Sequence, residues 1–79
     1  MPFVIKNKTL IFFGVPSSGD VELFIYNSLG QQLISRKIIN ARPGYYREVI
    51  NVNNVSEGIY FLLIKQNDEK VNRKFIILK

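Results

Sequence analysis

Ala41 is the only alanine in a chain crowded with Val, Ile, Phe and Tyr, and that imbalance constrains the fold more than any single motif. Alanine is the best helix former, whereas β-branched and aromatic side chains fit a pleated, half-buried surface. The chain is therefore expected to be built from strands. Its 79 residues leave room for one domain, residues 1–79, near the small end of what folds alone, and 47% apolar content supplies a packed core.

Five glycines, each beside other turn formers, divide the chain into short segments. Thr9-Leu10-Ile11-Phe12-Phe13 is apolar on both faces and predicts a strand buried on both sides, ended by Gly14-Val15-Pro16-Ser17-Ser18-Gly19. Residues 20–26 alternate, with Val21, Leu23 and Ile25 toward a core and Asp20, Glu22, Phe24 and Tyr26 facing away. Asn27-Ser28-Leu29-Gly30 has the composition of a tight turn. In residues 31–39, Ile34 and Ile38 are spaced as on a helix while Leu33-Ile34 and Ile38-Ile39 fit a strand, and the preceding hairpin turn decides for a strand.

A second loop, Asn40-Ala41-Arg42-Pro43-Gly44, precedes a strand over residues 45–52. Asn53-Asn54-Val55-Ser56-Glu57-Gly58 breaks the pattern. Residues 59–65 then set Tyr60, Leu62 and Ile64 on one face and Ile59, Phe61 and Leu63 on the other, and Asn67-Asp68-Glu69 turns into a last strand over residues 70–79 that alternates around Val71, Arg73, Phe75 and Ile77. About six or seven short strands without a convincing helix suggest an all-β, immunoglobulin-like antiparallel sandwich, with a small barrel as the alternative.

The chain has no Cys, so disulfides and thiolate metal sites are excluded, and no His, which removes the usual general base, metal ligand and pH switch. Neither an enzyme nor a cofactor is expected. The carboxylate pairs Asp20 with Glu22 and Asp68 with Glu69 read as solvated charge rather than as an acid–base or cation site, and no glycine opens a helix as a phosphate loop does. A formal charge of +5 suits an anionic partner. Basic residues with Phe24, Tyr26, Tyr45, Tyr46, Arg42 and Arg47 could serve a nucleic-acid-binding barrel, but aromatics at period two are more often core and scattered lysines more often a solubilising face. Lys65, Lys70, Arg73, Lys74 and Lys79 concentrate positive charge on the terminal hairpin. The glycosylation triplets Asn7-Lys8-Thr9 and Asn54-Val55-Ser56 carry no weight without a secretory context that uses them. Met1-Pro2-Phe3-Val4-Ile5-Lys6 is too short an apolar run for a secretory leader, and no stretch of about 18 apolar residues spans a membrane.

From Gly19 onward, four stretches in order resemble the type A C-terminal sorting domain of the type IX (Por) secretion system: Val21-Glu22-Leu23-Phe24-Ile25-Tyr26-Asn27-Ser28-Leu29-Gly30-Gln31, then Gly44-Tyr45, then Val55-Ser56-Glu57-Gly58-Ile59-Tyr60-Phe61, and last Lys74-Phe75-Ile76-Ile77-Leu78-Lys79. The opening, residues 4–13, lacks the Asn-Pro motif that often begins the family. The resemblance implies an immunoglobulin-like sandwich at the end of a longer precursor. It further implies carriage of an upstream cargo domain through the periplasm and across the outer membrane to the cell surface or medium. Its implied partners are secretion-system components and a sortase-like peptidase that removes it.

Recognition is then expected at Lys74, Phe75, Ile76, Ile77, Leu78 and Lys79, by strand addition along an open sheet edge. Tyr26, Asn27, Gly30, Gly44, Tyr45, Gly58 and Tyr60 form a structural motif, the glycines for turns and Tyr45 and Tyr60 for packing. Nucleic acid is not an expected partner, and an isolated copy can pair with a second through its open edge. A carbohydrate-binding or adhesive surface sandwich is the alternative of a different class.

Overall fold

The structure, a computed structural model, describes residues 4–5, 8–52 and 55–78, with side chains from residue 11 onward. The structure adds a short strand that the sequence did not announce, β1 (Val4–Ile5), to the six expected ones: β2 (Lys8–Val15), β3 (Gly19–Asn27), β4 (Gln32–Ala41), β5 (Gly44–Asn51), β6 (Gly58–Gln66) and β7 (Glu69–Ile77). There is no helix among the described residues. The five-stranded sheet has the order β1-β7-β6-β3-β4, and β2 and β5 form a two-stranded antiparallel sheet packed against it. Within the larger sheet only the two-residue β1 runs parallel to its neighbour, pairing Val4 with Ile76 and Ile5 with Ile77.

The core follows from alternation. Val21, Leu23 and Ile25 of β3, Tyr60 and Leu62 of β6, and Phe75 and Ile77 of β7 meet Val15 and Ile50 of the small sheet. Each of the large side chains removes on the order of 2 kcal/mol worth of apolar surface from water. Cross-strand ring pairs extend this packing, Tyr60 on Phe75 at 5.9 Å and Phe13 on Tyr46 at 5.7 Å between centroids.

One expectation fails at β2. Ile11, Phe13 and Val15 turn toward the core, but Phe12 is 70% exposed, so the strand is buried on one face only. The reason is that the second sheet has just two strands, and nothing among the described residues lies against its outer surface. The last strand also stops short of its expected end, since it finishes at Ile77 and Leu78 follows outside the ladder.

Three chain crossings between the sheets are tied by side chains. Where β2 passes to β3, the 8%-exposed Gln66 donates from Nε2 to the Ser17 carbonyl at 2.7 Å and the Gly19 carbonyl at 3.3 Å. Where β4 passes to β5, the Tyr46 hydroxyl donates to the Arg42 carbonyl at 2.7 Å and accepts from the Arg42 N–H at 2.8 Å. Where β5 passes to β6, the Tyr60 hydroxyl donates to the Ser56 carbonyl at 2.6 Å. These bonds satisfy backbone groups that leave a ladder at a sheet edge, as a tyrosine corner does.

Candidate recognition surface on the C-terminal hairpin

The hairpin β6–β7 closes through Asn67, which adopts a φ of 54°, and is registered from Gly58 opposite Ile77 to Gln66 opposite Glu69. Asparagine accepts the left-handed conformation because its short polar side chain can bond locally. Along β7, Lys74 is exposed and lies opposite Phe61, whereas Phe75 and Ile77 are buried in the core. Ile76 is half-buried on the outer face, Leu78 is 44% exposed, and Lys79 lies outside the described residues. Phe75 and Ile77 thus hold the sandwich together, and only their neighbours face outward.

The outer edge of β7 is divided. β1 covers it at Ile76 and Ile77, and from Glu69 to Phe75 no strand pairs with it among the described residues. Beside this free stretch runs a groove of about 340 Å³ between β2 and β7, lined by Phe12, Phe13, Gly14, Ile64, Val71 and Arg73. Ile64 and Val71 sit on the core-facing side but escape full cover because the small sheet ends at β2. The hairpin's positive charge is split as well. Lys65, Lys70 and Lys74 occupy the outer face, and Arg73 faces the other way, opposite Leu62.

The Tyr-Asn-x-x-Gly-Gln stretch is a locked turn. Asn27 Oδ1 accepts from the N–H of Leu29 at 3.0 Å and of Gln31 at 2.9 Å, and Asn27 Nδ2 donates to Gln31 Oε1 at 2.7 Å. Gly30 N–H donates to the Asn27 carbonyl with Gly30 at φ 83°, a conformation glycine adopts without a Cβ penalty. The Tyr26 hydroxyl reaches Gln32 Oε1 at 3.4 Å. This turn is at the hairpin between β3 and β4 and does not meet the free stretch of β7, since β6 intervenes in the sheet order. Gly44 and Gly58 open β5 and β6.

Tyr45 departs from its expected packing role. It is 95% exposed, because the alternation of β5 turns Tyr46 inward and Tyr45 out over Gly14, whose missing Cβ would lie 3.5 Å from the ring. The residue that anchors this corner is Tyr46. Sequence reasoning named Tyr46 only among the aromatics of a nucleic-acid-binding barrel, not as an anchor, and passed over Gln66, whose only signal is a polar residue where the alternation of β6 calls for an inward side chain. No cluster of three or more potential metal-ligating side chains exists among the described residues. Asp20 is taken up by Lys37 Nζ at 3.7 Å and by the N–H of Asn40, which sits at φ 55° beside an irregularity in the β3–β4 register. No helix of the described residues is long and apolar enough to cross a membrane.

No curated protein matches the chain. The family model described as "Secretion system C-terminal sorting domain" matches residues 5–78.

Proposed function

This chain belongs to the family of secretion-system C-terminal sorting domains, and from that premise we propose that it acts as one sorting module whose signal is the hairpin β6–β7. The family role is that of a C-terminal signal for type IX secretion, which implies export across the outer membrane to the cell surface or the medium. The family is not an enzyme family. In our reading the turn at Asn27 to Gln31 and the tyrosine corners build the scaffold, and residues 74–79 with the free stretch of β7 form the part that secretion components engage. A sortase-like peptidase then removes the module from its cargo.

The single observation that carries this reading is that, among the described residues, no strand pairs with the edge of β7 from Glu69 to Phe75, which runs beside a groove open to an incoming segment. An extended peptide added there gains main-chain hydrogen bonds, while Val71 and Ile64 offer it apolar contacts. Export of a reporter carrying this chain at its C-terminus, in a type IX-competent host, tests it. Removal of residues 74–79 is expected to retain the reporter in the periplasm.

Because that deletion takes Phe75 and Ile77 from the core, a second variant keeps the fold. Val71→Lys places an inward-pointing charge on an edge strand, a natural device against strand pairing. It should leave the melting midpoint near that of the parent and reduce export. Full export of Val71→Lys would overturn the edge-addition reading.

A further inference from the structure

The outward face of the five-stranded sheet carries an apolar stripe that the sandwich core does not use. Cross-strand register sets Phe24 beside Leu63, Tyr26 beside Phe61 and Ile59 beside Ile76 in successive rows. All six remain partly exposed, Ile59 at 44% and Phe61 at 39%. Both neighbours of β3 and of β6 are in place, so their backbones are paired on each side and the face presents side chains alone.

Lysines border this stripe. Lys37 and Lys65 flank Glu22, Lys70 lies opposite Lys65, and Lys74 lies opposite Phe61. The carboxylates of this face, Asp20 and Glu22, are fewer than its four lysines, and Asp20 is already bonded to Lys37 and Asn40. Every arginine lies elsewhere. Arg36 is paired with Leu23 and Arg73 with Leu62 on the core-facing side, Arg47 with Phe12 on the small sheet, and Arg42 is in a loop.

This division narrows the partner. Protein interfaces enrich arginine and deplete lysine, so a face bordered by lysine alone is a poor match to one. Lysine lays its aliphatic stem along apolar surface and lifts its ammonium into a phosphate layer, which suits lipid headgroups above partly inserted Ile, Leu and Phe side chains. The directly opposed Lys65 and Lys70 repel each other in water, and an anionic layer relieves that repulsion. A second copy of the same face would set lysine against lysine. Single-stranded nucleic acid stacks on aromatic rings, and half of this stripe is aliphatic.

We infer that the outer face of the five-stranded sheet docks the domain on an anionic phospholipid bilayer, with Phe61 and Ile59 entering the interface and Lys65, Lys70 and Lys74 contacting headgroup phosphates. The inference does not depend on which edge the secretion components engage. Sedimentation of the full chain with vesicles of phosphatidylcholine alone, or mixed with phosphatidylglycerol, tests it. Binding is expected to the mixed vesicles and to fall as salt is raised. Phe61→Ser, Lys74→Glu and Lys65→Glu should each weaken partitioning about tenfold, with Arg47→Glu leaving it unchanged, and circular dichroism should show all four folded. No binding to mixed vesicles, equal binding to phosphatidylcholine alone, or an equal loss in Arg47→Glu overturns the inference. So does tighter binding of a single-stranded oligonucleotide that the same three substitutions abolish.

Discussion

The Tyr60 hydroxyl donates to the Ser56 carbonyl oxygen 2.6 Å away, four residues upstream, and Tyr46 reaches back the same four residues to Arg42. The two bonds stand at the chain's passages from β5 to β6 and from β4 to β5, where the backbone leaves one sheet for the other. Tyr60→Phe keeps the ring against Phe75 and removes only this bond. It is expected to lower stability by about 1 kcal/mol, a fall of roughly 4–8 °C in Tm by thermal melting. Tyr45→Ser should change stability by less than about 0.5 kcal/mol, because Tyr45 stands in solvent.

At the hairpin between β3 and β4, Asn27→Ala leaves the N–H groups of Leu29 and Gln31 without their carboxamide acceptor. A loss of about 1 kcal/mol is expected in chemical denaturation, with most of it regained in Asn27→Asp, whose oxygen still accepts. Gly30→Val forces a β-branched residue to φ 83° and should cost about 2 kcal/mol or more. An unchanged midpoint in that variant would refute the turn as described.

Gln66 joins the terminal hairpin to the loop before β3, and Asn67 Nδ2 adds a second tie to Ser17 Oγ at 3.2 Å. Gln66→Leu preserves volume and removes the donor shared by the carbonyls of Ser17 and Gly19. Stability is expected to fall by about 2 kcal/mol, with faster amide exchange confined first to the β2–β3 connection and the β6–β7 turn. Gly19→Ala should disturb the same tie from the other side, since a Cβ there would lie 2.8 Å from Asn67 Oδ1 and φ is 144°.

Leu23 is buried at the centre of the larger sheet, whereas Phe12 is exposed on the outside of the smaller one. Leu23→Ala is expected to cost about 3 kcal/mol and Phe12→Ser less than about 0.5 kcal/mol, both measured by denaturant unfolding. Comparable losses in the two variants would show that the small sheet's outer face is covered.

Strand positions were legible because the signal is local. Val21, Leu23 and Ile25 alternate with polar or aromatic neighbours, and a strand of period two buries them whatever it packs against. The ambiguous segment around Ile34 and Ile38 resolved as strand because the Asn27 turn commits the returning chain to pair with β3. The motif around Tyr26, Asn27 and Gly30 was legible for the same reason, each of its bonds spanning six residues or fewer.

The sequence by itself determined the six longer strands, the locked turn and, through its ordered motifs, the family. Tertiary structure alone decided what covers each face and edge. Phe12 and Phe13 are adjacent and chemically identical, yet Phe13 is half-buried against the larger sheet while Phe12, on the face that no other layer covers among the described residues, is left in water. The last hexapeptide looked uniformly like a recognition strand, but core packing claimed Phe75 and Ile77 and β1 took the edge at Ile76 and Ile77, which among the described residues leaves Glu69 to Phe75 without a strand partner. Burial and edge pairing depend on partners distant in the chain, and alternation along one strand says which residues share a face without saying what, if anything, lies against it.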